Sequence, residues 1–134
     1  MKLAVVGSRG FKNDYLLTTI LDNIMAETEI TEIVSGGAKG ADSLAEMYAK
    51  GMNIKIKIFP VDWNDMTEPC LKKRNSRGQY FNALSGHNRN TKIVEHADKV
   101  IAFWDGKSPG TKNTIDKAKK LNKLHSIVLY EENQ

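Results

Sequence analysis

Three times in this chain a short apolar run stops at a glycine-bearing turn and gives way to residues with helical spacing. Leu3-Ala4-Val5-Val6 leads into Gly7-Ser8-Arg9-Gly10, and Glu32-Ile33-Val34-Ser35 leads into Gly36-Gly37-Ala38-Lys39-Gly40-Ala41-Asp42. Val100-Ile101-Ala102-Phe103-Trp104 leads into Asp105-Gly106-Lys107-Ser108-Pro109-Gly110-Thr111. Strand, turn and helix in that repeating order fold as right-handed crossovers on a parallel sheet. All strand C-termini of such a sheet share one edge, so the three turns are expected to face a single crevice. Exposed amides and helix N-termini on that edge make a seat for phosphate or another anion.

The rest of the pattern agrees. Leu16, Leu17, Ile20, Leu21, Ile24 and Met25 recur on one face of a helix predicted over 14–26. A second helix is read over 41–50 with Leu44, Ala45 and Tyr48 inward, a third over 88–96 with Ile93, Val94 and Ala97 inward, and a fourth over 112–121 with Ile115, Ala118 and Leu121 inward. Ile54, Ile56 and Ile58 alternate with lysines, which marks a half-exposed edge strand whose charges discourage further pairing. The near-continuous apolar run 99–104 reads as a central strand, and 126–130 closes the sheet. The expected architecture is a Rossmann-like three-layer α/β/α sandwich with a mainly parallel five-stranded sheet, one domain over 1–134. One stretch breaks the rhythm. Residues 64–86 have weak periodicity and mixed charge, and a loop of that length reads as a lid over the ligand or a contact to a second subunit.

Composition narrows the function classes. No apolar run is long enough to cross a bilayer, the N-terminal residues lack the apolar stretch of a secretory signal, and Cys70 is the single cysteine; a cytoplasmic protein without membrane association is the expectation. The net charge is +4, with −4 carried by 12–32 and +5 by 107–123. The lysines of 107–123 read mainly as a solvated helix face, with Lys107 and Lys112 set apart because they flank a glycine turn. A nucleic-acid partner is the weaker alternative, since the linear sequence shows no interleaving of basic and aromatic residues. The histidines and the cysteine have no metal-ligand spacing, so neither a metal nor a resident cofactor is expected.

No glycine turn is decisive alone: none has the G-x-G-x-x-G fingerprint or the Gly-Lys-Ser/Thr ending of a P-loop. Their recurrence with hydroxyl residues is the stronger sign, because Ser8, Ser35, Ser108 and Thr111 can donate to phosphate oxygens and Arg9 can pair with them in a forked geometry. Arg89 stands near a helix start, where a cation opposes the dipole, and this favours a functional role over simple ion pairing. Asp42 reads either as a first-turn acid that suits its helix or as a contact to sugar hydroxyls. Asp105 either begins a turn or takes the same hydroxyls. Trp63 and Trp104 either finish the core or stack on a base. His87 reads as a partly exposed side chain, and Cys70 has no base beside it that would make it a nucleophile.

These stretches, together with His87-Asn88-Arg89-Asn90, resemble the SLOG superfamily of Rossmann-like nucleotide-sensing and nucleotide-processing domains, in its small bacterial and phage branch related to YpsA. The resemblance spans about the first 120 residues in family order. It implies a nucleotide-derived ligand, such as an ADP-ribose-type or cyclic nucleotide, and a homo-oligomer. On that basis the ligand-binding residues are Gly7, Ser8, Arg9, Ser35, Gly36, Gly37, Lys39, Gly40, Asp42, Trp63, Arg89, Asn90, Asp105, Ser108, Gly110 and Thr111. The chain is read as a sensor, or, if phage-encoded, as a protein that sequesters a host signal. LOG enzymes of the same superfamily cleave the N-glycosidic bond of nucleoside monophosphates with an arginine, a Gly-Gly-x-Gly-Thr turn and a glutamate just beyond it. Arg89 and Gly110-Thr111 match two of those parts, but Asn113-Thr114 stands at the glutamate's place, and an asparagine neither shares a proton nor steadies a cation by charge. The reading therefore leans away from an enzyme, with Arg89, Asp105 and Asp42 as the catalytic candidates if chemistry follows and Asp62 as a further acid on the ligand edge. The superfamily also contains the DNA-processing protein of natural transformation, which keeps nucleic acid as the third reading.

Overall fold

The structure, a computed structural model, describes residues 1–131; the last three residues of the domain read over 1–134 lie outside the described residues. In chain order the elements are β1 (Lys2–Gly7), α1 (Asp14–Glu27), β2 (Glu32–Ser35), α2 (Ala41–Gly51), β3 (Lys55–Ile58), β4 (Lys72–Arg74), β5 (Tyr80–Asn82), α3 (Ser85–His96), β6 (Lys99–Trp104), α4 (Pro109–Lys120) and β7 (Leu124–Leu129). Five strands form one sheet in the order β3-β2-β1-β6-β7, and every pairing in it is parallel. This is the Rossmann-like α/β sandwich expected, with the lysine-bearing β3 at an edge and the apolar β6 inside.

Alternation along the strands builds two cores. Leu3, Val5, Ile33, Ile101 and Phe103 face α1 and α2, where Leu17, Leu21, Ala45 and Ala49 meet them. Ala4, Val6, Val34, Val100 and Ala102 face α3 and α4, where Ile93, Val94, Ile115 and Ala118 meet them. Local signals set the helix ends. Asn13 caps α1 by accepting from the Leu16 amide at 3.0 Å. Pro109 opens α4 at a position that needs no N–H, and Lys117, Lys119 and Lys120 close it where cations suit the dipole. Much of the basic C-terminal patch is therefore helix-end chemistry.

The structure corrects three details. Leu121 is half exposed, because α4 ends at Lys120 and Leu121 caps it beyond the inward-facing turns. The helices α3 and α4 begin earlier than their apolar spacing suggests, at Ser85 and Pro109, since their first turns are polar and carry no periodic signal. The stretch 64–86 also holds an antiparallel hairpin, β4 against β5. Its pairing of Arg74 with Tyr80 leaves Lys72 Nζ 4.4 Å and Arg74 Cζ 5.1 Å from the Tyr80 ring centroid. Basic and aromatic residues do interleave here, in space though not in sequence.

Candidate functional site

In the order β3-β2-β1-β6-β7, the chain leaves β1 toward one face of the sheet and β6 toward the other. Loops that diverge from adjacent strands leave a crevice at the strand ends. Here that crevice is an open cavity of about 410 Å³ lined by Ser8, Arg9, Gly10, Asp105, Ser108, Pro109, Gly110 and Thr111. Ser8 is buried under it and joins the two loops. Its amide donates to Phe103 O at 3.0 Å, and its hydroxyl accepts from the Asp105 amide at 3.3 Å and lies 2.9 Å from Ser108 Oγ. Asp105 holds the third turn together by accepting from the Lys107 amide at 2.9 Å, the Ser108 amide at 2.8 Å and Ser108 Oγ at 2.9 Å. Burial raises its pKa, but those hydrogen bonds outweigh burial and bring it down to about 2. Pro109 occupies the first position of α4, so the amides of Gly110 and Thr111 are the first of that helix to lack a partner within it, and they border the cavity. Arg9 is exposed on the opposite lip.

The second glycine turn adjoins this cavity without lining it. A Cβ on Gly40 would lie 2.4 Å from Ser8 O and 2.7 Å from Arg9 O, so the turn presses directly on the first loop. Behind it, Arg89 of α3 donates through Nη1 to Gly36 O at 2.8 Å and to Phe59 O at 3.3 Å, and through Nε to Asn90 Oδ1 at 3.0 Å. Gly36 has no room for a side chain: its Cβ would lie 2.5 Å from Arg89 Nη1 and 2.9 Å from Asp42 Oδ2. Asp42 is buried and accepts from the Ala38 amide at 3.2 Å. Burial pushes its carboxyl up to about 6, against the Ala38 hydrogen bond and the Arg89 charge, with the Glu46 carboxylate adding to the rise. Burial likewise lowers the Arg89 pKa, with Asp42 opposing and Arg9 assisting.

The predicted residues thus divide into groups. Ser8, Arg9, Asp105, Ser108, Gly110 and Thr111 surround the cavity, and Gly7 ends the strand beneath it. Ser35, Gly36, Gly37, Lys39, Gly40, Asp42 and Arg89 form the adjoining cluster, with Gly37 and Lys39 exposed at its crest. The Ser35 hydroxyl is turned inward, donating to Glu46 Oε2 at 2.8 Å and accepting from the Gly37 amide at 3.1 Å. Asn90 ties α3 to α4, donating through Nδ2 to Gly110 O at 3.4 Å and to Asn113 Oδ1 at 3.2 Å. Trp104 staples the third turn, its indole N–H donating to Ser108 O at 3.0 Å. Trp63 stands apart in another cleft beside the hairpin. Sequence reasoning missed Glu46 and Phe59 as partners of this site. Glu46 carries a weak signal as an acid one turn past Asp42, whereas the Phe59 contact is made by a carbonyl and has none. Among the described residues no group of three or more His, Cys, Asp or Glu is placed to hold a metal ion, and no helix is long and apolar enough to cross a membrane.

The Asp42 shift has a measurable consequence. Its folded pKa of about 6 stands above the ordinary value of 3.8, so folding favours the protonated form and this contribution is complete below about pH 4. It is lost as pH rises through about 6, by roughly 3 kcal/mol at most, from about 1.4 kcal/mol per unit. Glu32, Asp98 and Asp105 have lowered pKa values and act in the opposite sense. The Asp42 part is therefore read as a difference: urea unfolding of the native chain and of Asp42→Asn at pH 4.5 and pH 7 is expected to show the native chain losing stability relative to the variant as pH rises.

Comparison with known proteins bears out the resemblance read from the sequence. Residues 1–65 match the model of the YspA, cpYpsA-related SLOG family, YAcAr. The Gene 61 protein of Mycobacterium phage D29 is 28% identical over 129 residues, covering 89% of each chain. DNA processing protein A from Streptococcus pneumoniae superimposes with a TM-score of 0.68 at 22% identity over 93% of this chain, which spans about half (49%) of that longer one. DNA processing protein A from Helicobacter pylori, described for its single-stranded DNA binding mode, gives 0.65 at 22% identity over 99% of this chain and 69% of that one. TM1055 gives 0.62 at 19% identity over 92% of this chain and 71% of that one. At such identities the three structures share the fold with this chain.

Proposed function

We propose that the crevice between β1 and β6 binds a nucleotide or a nucleotide-derived signal; residues 1–65, which match the SLOG family model, supply two of the three glycine turns. The convergence of Ser8, Ser108, Arg9 and the N-terminus of α4 on one cavity of about 410 Å³ carries this reading. The Gly110 and Thr111 amides and the Arg9 guanidinium take the phosphate, and the carboxylate of Asp105 is the acceptor for ribose hydroxyls at the same wall. Asp42 and Arg89 support the floor from behind. Lys39, exposed on the neighbouring turn, adds positive potential at the mouth. The single domain over 1–134 acts as a sensor or sequestering protein, in a homo-oligomer whose neighbouring copies close each other's crevices.

Titration calorimetry of the chain against mononucleotides, ADP-ribose forms and cyclic nucleotides tests the proposal. At least one compound is expected to bind, and Arg9→Ala is expected to weaken it about tenfold by removing a charge-assisted hydrogen bond. Absence of heat with every compound at millimolar concentration would overturn it.

A second reading, N-glycosidic cleavage of nucleoside monophosphates, draws on Asp42, whose carboxyl burial pushes up to about 6 beside Arg89. Against it, Asn113 holds the position a glutamate would need and is engaged by Asn90. Release of free base that disappears in Asp42→Asn or Asp105→Asn would favour this reading, and intact substrate after long incubation would remove it for the compounds used.

A further inference from the structure

The hairpin β4–β5 and the segment leading into it form a second feature, away from the crevice. Between Glu68 and Glu95 the sequence has no carboxylate and carries Lys72, Lys73, Arg74, Arg77, Arg89 and Lys92. The four cations of the hairpin itself are all exposed. Beside them, Tyr80 is 51% exposed and Trp63 47% exposed, a large apolar investment for a surface otherwise so charged. An open cleft of about 630 Å³ lies between them, lined by Trp63, Asn64, Asn75, Gln79, Tyr80 and Phe81. Its walls are aromatic rings and carboxamides, and none of its lining residues is charged.

The hairpin is a fixed platform. Asn82, fully buried, pins its base: Oδ1 accepts from the Leu71 and Leu84 amides at 3.0 Å each, and Nδ2 donates to Asp65 O at 3.0 Å and Pro69 O at 3.3 Å. At the tip, Asn75 Oδ1 accepts from the Arg77 amide at 2.9 Å and the Gln79 amide at 3.0 Å. Trp63 rests its edge against Gly86 and meets Phe81 edge-on, with ring centroids 6.3 Å apart. The rings are therefore held in place before any partner arrives, which lowers the ordering cost of binding.

We propose that this cleft binds a single-stranded polynucleotide. Bases stack against Tyr80 and Trp63, the amide groups of Asn64 and Gln79 meet base edges, and Lys72, Lys73, Arg74 and Arg77 track the phosphates. A flat aromatic surface accepts any base, and a run of cations follows a backbone; together they suit an unpaired strand, whereas a duplex hides the base faces. An acidic peptide would match the charge but leave the rings and the carboxamide walls without partners. Stacking and phosphate pairing are indifferent to the sugar, so DNA and RNA of one sequence serve equally as ligand.

The test is fluorescence anisotropy with labelled single-stranded DNA and RNA of mixed sequence, and a DNA duplex of the same length, at several salt concentrations. Strand binding is expected to weaken about tenfold or more in Tyr80→Leu, which removes the π face but keeps the bulk, and to persist in Tyr80→Phe. Trp63→Ala is expected to act like Tyr80→Leu. Lys72→Gln with Arg74→Gln is expected to reduce the salt slope by about one for each phosphate that the protein then leaves unneutralised. Because Tyr80 and the two cations are exposed, thermal melting of these variants should match the parent, which separates impaired binding from impaired folding. Arg9→Ala, in the crevice, is expected to leave strand affinity unchanged. No binding of either strand at low salt, equal or tighter binding of the duplex, or sensitivity to Arg9→Ala but not to Tyr80→Leu would each overturn the proposal.

Discussion

Gly40→Ala is expected to destabilise the protein by roughly 3–5 kcal/mol, the sum of backbone strain and overpacking of about 1–3 kcal/mol each with the larger values favoured here. Two independent effects act at this position. Its φ of 81° with ψ of −129° belongs to a region that residues with a side chain avoid. The added methyl would also lie 2.4 Å from Ser8 O, 2.7 Å from Arg9 O and 2.8 Å from Arg9 C. All three are backbone atoms, so no side-chain rotation relieves the clash. The two glycine loops would be driven apart and the crevice wall with them, so ligand affinity should fall together with stability. Two other glycines serve as controls in urea unfolding. Gly106 has a φ of 79° but open space around it, and its alanine variant should cost only about 1–2 kcal/mol. Gly51, at the end of α2 with neither strain nor neighbours, should be neutral or slightly stabilised as alanine, by up to about 1 kcal/mol. Equal losses at Gly40 and Gly106 would show that packing against the first loop contributes nothing.

Arg89→Ala is expected to cost roughly 2–4 kcal/mol, because it leaves two backbone carbonyls and a carboxamide oxygen without their donor. Gly36 O, Phe59 O and Asn90 Oδ1 all take hydrogen bonds from this one guanidinium. Asp42 would also lose the positive charge that restrains its pKa, so its carboxyl should titrate above its present value of about 6. Lysine keeps the charge but cannot reach several acceptors in fixed directions, so Arg89→Lys should restore the Asp42 titration while recovering only part of the stability. Unfolding in urea and carboxyl carbon NMR of Asp42 separate the two effects. An unchanged Asp42 titration in Arg89→Ala would show that the two groups do not interact.

The fold was legible because its strands signal themselves twice, by apolar runs and by the glycine turns that end them. Even the edge position of β3 could be read from Ile54, Ile56 and Ile58 alternating with lysine. The crevice was partly legible: strand ends are predictable in a parallel sheet, but the sequence does not say which turn lines a cavity and which one buttresses it. Gly36 and Gly40 look like ligand-facing glycines from their neighbours in sequence, yet in the structure the space around them is occupied by Arg89, Asp42 and the first loop. The hairpin was opaque for another reason. Its strands are three residues each, too short for periodicity to register, and its base is pinned by Asn82, whose four hydrogen bonds have no sequence signature.

Asn88 and Arg89 are neighbours in the chain and line one small pocket, but they hold different partners. The first grips the root of the hairpin, donating to Pro69 O at 2.9 Å, while the second grips the glycine turn at Gly36. One turn of α3 thus ties the root of the hairpin to the glycine turn. A substitution in this turn of α3 therefore reaches the supports of both the hairpin and the crevice.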